Sequence, residues 1–144
     1  MTAIVDKSEK YVTEKLNPEN TSDSLYHNLR HTQRVVNSVS TLVEEIGVED
    51  KDAEALLVAA WCHDVGYTVT YDDHEEKSCQ IAKEFLSKEE CSDDFTANVL
   101  SLIRATKRDY DPKNQLEKIM KDADSSHLAK KSFLTASELL RVEL

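Results

Sequence analysis

The chain has 144 residues, enough for one compact domain that buries its own core without disulfides or a structural metal. Glycine and proline number two each and aromatic residues make up only 6%, so the composition disfavours a turn-rich β-sandwich or barrel and favours an all-α fold. The formal net charge of −10 opposes docking on a phosphate backbone. A nucleic-acid polymer is therefore not an expected partner.

Two further features limit the cellular setting. No stretch approaches 18 consecutive apolar residues, and the N-terminal MTAIVDKSEK lacks the basic-then-apolar layout of a secretory signal. Cys62, Cys79 and Cys91 are odd in number and form no C-x-x-C pair, a spacing that fits neither a disulfide framework nor a zinc ribbon. We therefore expect a cytoplasmic protein with reduced thiols and no membrane partner.

Helical periodicity predicts a single domain over residues 1–144, built from about six to seven helices. The predicted helices cover about residues 3–16, 28–46, 51–64, 73–87, 93–106, 114–124 and 129–144. Asn28 is a candidate N-cap for the second helix, and Gly47 is a candidate C′ residue at its end. Because the sequence stops at Leu144 without a cap or polar tail, we expect that the natural chain is longer or that the last helix completes an interface, as in a homodimer.

Two polar residues occupy inward-facing positions of predicted helices. His31 lies one turn before the apolar stripe of the second helix, so its side chain is expected to point inward; the stripe consists of Val35, Val39, Leu42 and Ile46. Asp124 continues the apolar stripe of the sixth helix, at an offset of eight from Leu116. A carboxylate in such a position needs a partner.

His63 and Asp64 lie at the predicted end of the third helix. Adjacent side chains point about 100° apart on a helix, so both can reach one ion only at the helix terminus, and Gly66 allows the helix to end there. Imidazole nitrogen and carboxylate oxygen suit Zn²⁺, Fe²⁺, Mn²⁺ or Co²⁺, and His31, His63, Asp64 and Asp124 would leave positions open for water and substrate. The alternatives are hydrogen-bonded core histidines and a salt-bridged or helix-capping Asp124.

Four segments carry these residues, in the order YHNLRH, AAWCHDVGY, HEEKS and KDADSSHL. Their histidine, His-Asp pair and distant aspartate resemble the signature of the HD-domain metal-dependent phosphohydrolases over about residues 25–130. The resemblance implies a core of five or more helices. It also implies that His31, His63, Asp64 and Asp124 bind one divalent ion, with Mn, Fe, Zn, Co, Ni and Mg as candidates.

The YHN-x-x-H segment is also similar to the cyclic-nucleotide phosphodiesterases, a branch of the same superfamily. That similarity implies that His27 protonates the leaving oxygen without binding the metal, while Asn28 caps the helix. His27 is accordingly expected in the loop before the second helix. The chain is much shorter than a full domain of that kind, so the similarity concerns site geometry and names no substrate.

His74 occupies the place where many HD-domain proteins carry a histidine that holds a second metal or touches the substrate. The segment LIRATKRDYDP contains no histidine, which favours one metal per chain. Arg104, Lys107 and Arg108 in this segment are candidates for binding phosphate oxygens, the alternative being a solvated helix end.

Other chemistries lack support, since the sequence has no G-x-S-x-G elbow and too few glycines for a phosphate-binding loop. We therefore expect metal-dependent hydrolysis of a phosphoester in a small, nucleotide-like metabolite. Asp64 or Asp124 would accept a proton from water, and His27 or His74 would donate one to the leaving oxygen. One alternative is a catalytically silent, ligand-sensing domain. Another is a two-iron oxygenase, which needs more histidines than this chain offers.

Overall fold

Six α-helices and one 3₁₀ turn make up the computed structural model, which describes residues 3–16, 23–68 and 73–133. The helices are α1 (Ala3–Lys15), α2 (Asp23–Ile46), α3 (Asp50–Cys62), α4 (His74–Lys88), α5 (Asp93–Arg104) and α6 (Gln115–Phe133). The 3₁₀ turn, Val65–Thr68, follows α3. Only the backbone is described for residues 23–28, 67–68 and 125–133. The described part of the chain contains no β-strand, and the predicted all-α fold is confirmed.

The central helix is α3, because its second half is apolar around the whole circumference. Every residue from Ala55 to Cys62 is buried, and burial continues through His63 and Asp64. A helix that is apolar on all sides has to be covered on all sides. Helices α1, α2 and α5 pack against it and provide most of that cover. The end of α3 therefore places the His-Asp pair inside the bundle.

The other helices complete the bundle around α3. Helix α1 also reaches α4, where Tyr11 stacks on Phe85 at 4.5 Å between ring centroids and Lys7 pairs with Glu89 at 2.9 Å. Helix α4 packs on α5 and on the 3₁₀ turn. Helix α2 packs against α6 as well as α3. This last contact brings together chain segments that are far apart in the sequence.

The structure corrects the predicted start of α2. The helix begins at Asp23, so Asn28 lies in its interior and is not an N-cap. No glycine or proline interrupts residues 23–46, and an acidic residue at the first position is favourable for the helix dipole. The predicted end is confirmed: Gly47 has a φ of +80°, which glycine adopts at little cost. Ile46 is 45% exposed, so the apolar stripe ends before it.

Two other boundaries also differ. Helix α3 ends at Cys62, and the backbone tightens into the 3₁₀ turn just after Asp64. Helix α6 continues to Phe133, through the break expected after Asp124, because no helix-breaking residue lies there. The seventh predicted helix overlaps the end of α6 as far as Phe133, and its residues 134–144 lie outside the described part of the chain.

Candidate metal centre

His31 and Asp124 meet where α2 packs against α6. His31 Nε2 lies 2.9 Å from Asp124 Oδ1, although the two residues are 93 positions apart in the sequence. Each side chain is 24% exposed, so the pair lies at the edge of the bundle and is accessible to a small molecule. The carboxylate on the apolar stripe of α6 thus has a histidine partner.

His63 lies deeper, with its side chain 1% exposed. Its Nδ1–H donates to the carbonyl oxygen of Ala60 at 2.7 Å, so the neutral ring carries its lone pair on Nε2. Nε2 has no hydrogen-bond partner of good geometry among the described atoms. Carboxylate oxygens of Asp64 and Asp124 nevertheless lie 3.3 Å and 3.6 Å from it. A lone pair facing two carboxylates requires a cation between them, either a proton or a metal ion.

Asp64 presents its two oxygens to two different sets of partners. Oδ2 lies near the Nε2 atoms of His63 and His31, at 3.3 Å and 3.7 Å. Oδ1 accepts a hydrogen bond from His74 Nε2 at 3.0 Å. The other ring nitrogen of His74 lies 3.5 Å from Glu75 Oε1. His74 therefore orients the Asp64 carboxylate toward the two other histidines.

The pKa values of three groups respond to this arrangement in the metal-free protein. Burial acts to lower the pKa of His63, but the carboxylates of Asp64 and Asp124 outweigh burial and raise it well above its usual value. Burial acts to raise the pKa of Asp64, but His63 and His74 outweigh it and hold this pKa well below its usual range. The pKa of Asp124 is likewise lowered, because the hydrogen bond from His31 and the nearby ring of His63, 3.6 Å away, outweigh its burial. A proton on His63 thus supplies the positive charge that the two carboxylates require.

The same atoms fit a divalent ion. His31, His63 and Asp124 each offer one ligand atom, and these atoms lie within 4.8 Å of one another. Asp64 Oδ2 adds a second carboxylate oxygen beside both histidines. Two imidazole nitrogens and two carboxylate oxygens form a donor set that divalent transition metals accept. The structure therefore brings together all four residues that the sequence suggested as ligands.

The HD-domain family model matches residues 28–129, a span that contains these four residues. The chain belongs to the HD-domain family. The resemblance noted in the sequence is thereby confirmed. No curated protein and no solved structure shows a significant match to the chain. HD-domain proteins are mostly metal-dependent phosphohydrolases that bind divalent ions, and some members are non-catalytic.

The HD pair is followed by a very close packing contact at Gly66. Its N–H donates to Ser78 Oγ at 2.7 Å. A Cβ atom at this position would collide with the backbone carbonyl of His74 and would lie 2.7 Å from Ser78 N. Glycine thus allows the first turn of α4 to approach the end of α3. This approach holds His74 against Asp64.

Two of the three cations predicted to bind substrate in this HD domain, Arg104 and Lys107, pair with one carboxylate. Arg104 Nε and Lys107 Nζ lie 3.0 Å and 2.8 Å from Glu76 Oε2. Hydrogen bonds from both lower the pKa of Glu76. Glu76 therefore offsets part of their positive charge, and their binding of substrate phosphate stays a prediction.

The structure also corrects the expected setting of His27. This residue lies within α2, one turn before His31, and not in a preceding loop. Because the helix starts five residues before Asn28, the loop placement that would free His27 from the helix is wrong. Its side chain lies outside the described part of the structure, so its role as an acid stays a prediction.

Sequence reasoning missed the contacts that hold the segment between α5 and α6. Lys121 Nζ donates to the carbonyl oxygens of Lys107, Arg108 and Tyr110 at 2.8, 3.3 and 2.6 Å. Glu117 Oε1 accepts hydrogen bonds from the Tyr110 hydroxyl at 2.8 Å and from the Lys113 backbone N–H at 2.9 Å.

One signal for these contacts was present in the sequence. Asn114 caps α6 by accepting from the backbone N–H of Glu117 at 3.0 Å, and the spacing N-x-x-E is that of a capping box. In this domain the glutamate is turned toward the preceding segment, so the motif anchors that segment as well as starting the helix.

None of the described helices combines the length and apolar composition needed to cross a bilayer.

Proposed function

We propose that this HD domain is a metal-dependent phosphohydrolase that acts on a phosphoester of a small, nucleotide-like metabolite. The observation that carries the proposal is the environment of His63 Nε2. This atom is buried, its tautomer is set by the bond from Nδ1 to Ala60, and two carboxylates face it. A purely structural histidine would have a hydrogen-bond partner for that nitrogen.

His31, His63, Asp64 and Asp124 would hold the ion. When bound there, a divalent ion polarises a phosphoryl oxygen and lowers the pKa of water from about 15.7 toward roughly 7. The protein supplies the orientation of the ligands. The carbonyl oxygen of Ala60 fixes the ring orientation of His63, and the hydrogen bond from His74 fixes the orientation of the Asp64 carboxylate. Metal ligands commonly need such additional hydrogen bonds to hold them in place.

Proton transfers are assigned to groups at the edge of the centre. Asp124 is partly exposed and Asp64 has one oxygen directed at the histidines, so either can accept the proton of the attacking water. His74 is the best-placed described donor to a leaving oxygen, since its Nε2–H already lies at the centre and its side chain is 14% exposed. General acid assistance of this kind is worth about 10²- to 10⁴-fold in rate.

The test begins with metal analysis of the purified full chain, followed by chelation and re-addition of single ions. We expect about one ion per chain. We also expect hydrolysis of phosphomonoesters or phosphodiesters that chelation abolishes and Mn²⁺, Co²⁺, Zn²⁺ or Fe²⁺ restores. Bound metal without turnover on a broad substrate panel would refute the enzymatic proposal and favour a ligand-sensing domain.

His27 is tested separately, because its proposed role as an acid rests on the YHN resemblance. If it protonates the leaving oxygen, His27→Gln retains the metal but lowers turnover of alkyl phosphates by about 10²-fold. Activated aryl phosphates, whose leaving group needs no proton, lose much less activity. The matched variant His74→Gln should show the aryl–alkyl difference instead if His74 is the acid. Equal losses of turnover on both substrate types in His27→Gln would exclude His27 as the general acid.

A further inference from the structure

A cavity of about 500 Å³ lies beside the metal centre, between the start of α4 and the segment that follows α5. Its lining residues are Asp73, Glu75, Lys107, Arg108, Asp109 and Tyr110. Glu75 connects it to the centre, because its carboxylate lies 3.5 Å from His74 Nδ1 and His74 contacts Asp64. The volume is in the range of small-ligand sites. A molecule with its phosphate at the centre can therefore extend past His74 into this cavity.

One wall of the cavity is held rigidly. The ammonium of Lys121 bonds the backbone carbonyls of Lys107, Arg108 and Tyr110, and Glu117 bonds the Tyr110 hydroxyl. Both anchors belong to α6, the helix that carries Asp124. The wall is thus fixed relative to the metal centre, as a selective site requires.

The charges in the cavity are mixed, and the carboxylates outnumber the cations. Lys107 is engaged by Glu76 at 2.8 Å and approaches Asp73 at 3.8 Å. Arg108 is exposed, and its guanidinium forms no ion pair with any described residue. The carboxylates of Asp73 and Asp109 are exposed at the rim. Hydroxyl and amino groups find acceptors there, and Arg108 offers a donor to a carbonyl or ring nitrogen. A second phosphate would face an excess of negative charge.

We propose that this cavity binds the neutral, polar part of a substrate that carries a single phosphate, namely a nucleoside or sugar monophosphate. This inference rests on the proposed function, because it places the phosphate at the metal centre. Arg108 is the donor that binds the neutral part. Asp73 and Asp109 accept hydrogen bonds from its hydroxyl groups and discriminate against substrates with a second phosphate.

The test uses the metal-loaded full chain and three probes. These are a nucleoside 5′-monophosphate, the matching nucleoside 3′,5′-bisphosphate, and p-nitrophenyl phosphate, which is too small to fill the cavity. The variants are Arg108→Ala and the double variant Asp73→Asn with Asp109→Asn. Asparagine keeps the side-chain shape and tolerates the φ of 53° at residue 73. Asp111→Asn is the matched control, since Asp111 is exposed on the same segment but does not line the cavity.

For the wild type we expect kcat/KM to be higher for the monophosphate than for the bisphosphate. The double variant should raise the bisphosphate-to-monophosphate ratio at least about fivefold, because it removes two like charges near the second phosphate. Arg108→Ala should lower the ratio of monophosphate to p-nitrophenyl phosphate by about fivefold or more. Asp111→Asn should leave both ratios as in the wild type. Unchanged ratios in the cavity variants, or an equal change in Asp111→Asn, would overturn the inference.

Calorimetric binding of the two nucleotides to each variant separates this inference from the proposed function. If no probe is hydrolysed with any metal, the proposed function fails. The inference about the cavity is then tested by binding alone. Weaker monophosphate binding in Arg108→Ala, together with tighter bisphosphate binding in the double variant, would support the inference. The absence of both changes would overturn it.

Discussion

The two glycines of the chain provide a matched pair of substitutions that tests how the HD site is assembled. Gly66→Ala places a methyl group against the backbone carbonyl of His74 and within 2.7 Å and 2.8 Å of Ser78 N and Oγ, where ordinary contact begins near 3.4 Å. The obstructing atoms are mostly backbone, so the first turn of α4 has to retreat by more than half an ångström. Gly47→Ala meets no atom within 4 Å and suffers only from its positive φ.

The expected costs follow from these contacts. Forced overpacking costs about 1–3 kcal/mol, and weakening the hydrogen bond from Gly66 to Ser78 adds roughly 0.5–1.5 kcal/mol, so we expect about 1.5–4.5 kcal/mol for Gly66→Ala. At an unfolding entropy of about 2.1 cal/mol/K per residue, this lowers Tm by roughly 5–15 °C. For Gly47→Ala, a left-handed alanine costs about 1 kcal/mol, or roughly 3 °C.

Calorimetry and metal analysis together check the reasoning. Gly66→Ala should retain its metal, because His31, His63 and Asp124 do not lie on α4. Its turnover at 20 °C should fall by about tenfold or more as His74 withdraws from Asp64. Gly47→Ala should keep full turnover. Equal Tm values and equal turnover in the two variants would refute the idea that the approach of α4 at Gly66 positions His74.

Three further predictions concern the metal and the segment after α5. Asp124→Ala should reduce the metal content to below about a tenth of wild type and lower Tm. The control Asp122→Ala, on the exposed face of the same helix, should keep the wild-type metal content and Tm. Full metal content in Asp124→Ala would exclude Asp124 as a ligand. In the metal-free protein, the raised pKa of His63 stabilises the fold at pH values below about 6.5, the pKa of histidine in the unfolded chain. This stabilisation is lost as the pH rises through the pKa of His63 in the folded protein. The metal affinity of the folded protein should therefore rise with pH, up to about tenfold per unit, until the pH exceeds the raised pKa of His63, because binding displaces that proton. Calorimetry in buffers of different ionisation enthalpy counts the protons released, and a count near zero at pH 7 would contradict the protonated state. Lys121→Met should lower the free energy of unfolding by about 1.5–3 kcal/mol and raise KM for nucleotides more than for p-nitrophenyl phosphate. A loss of stability with no change in KM would show that Lys121 has a purely structural role.

Much of the centre could be predicted because the relevant signals are local or periodic. Asp124 falls on an apolar stripe, and its need for a partner follows from the cost of burying a carboxylate. His63 and Asp64 end a helix whose continuous apolar sequence marks it as central. Such patterns place residues on faces and ends of helices, which is enough to suggest that they converge.

The remaining features depend on the packing between helices. The pairing of Arg104 and Lys107 with Glu76 arises only when α4 lies beside α5, and no spacing in the sequence indicates it. The bond from His63 to Ala60 depends on the ring orientation at the end of α3. The start of α2 was misplaced because asparagine is a strong N-cap residue, yet Asn28 is preceded by a segment that is equally able to be helical.

The attachment of the cavity wall to α6 determines which residues of the proposed binding cavity can vary. Lys121 holds the wall through backbone carbonyl oxygens, which every residue type possesses. The side chains of Arg108 and Asp109 contribute nothing to that attachment. Positions 108 and 109 can therefore exchange charge, size or polarity while the wall keeps its distance from the metal ligands. We expect single substitutions there to change the ligand specificity of the proposed cavity while the four candidate metal ligands stay in place, and a library confined to these two positions is the natural test.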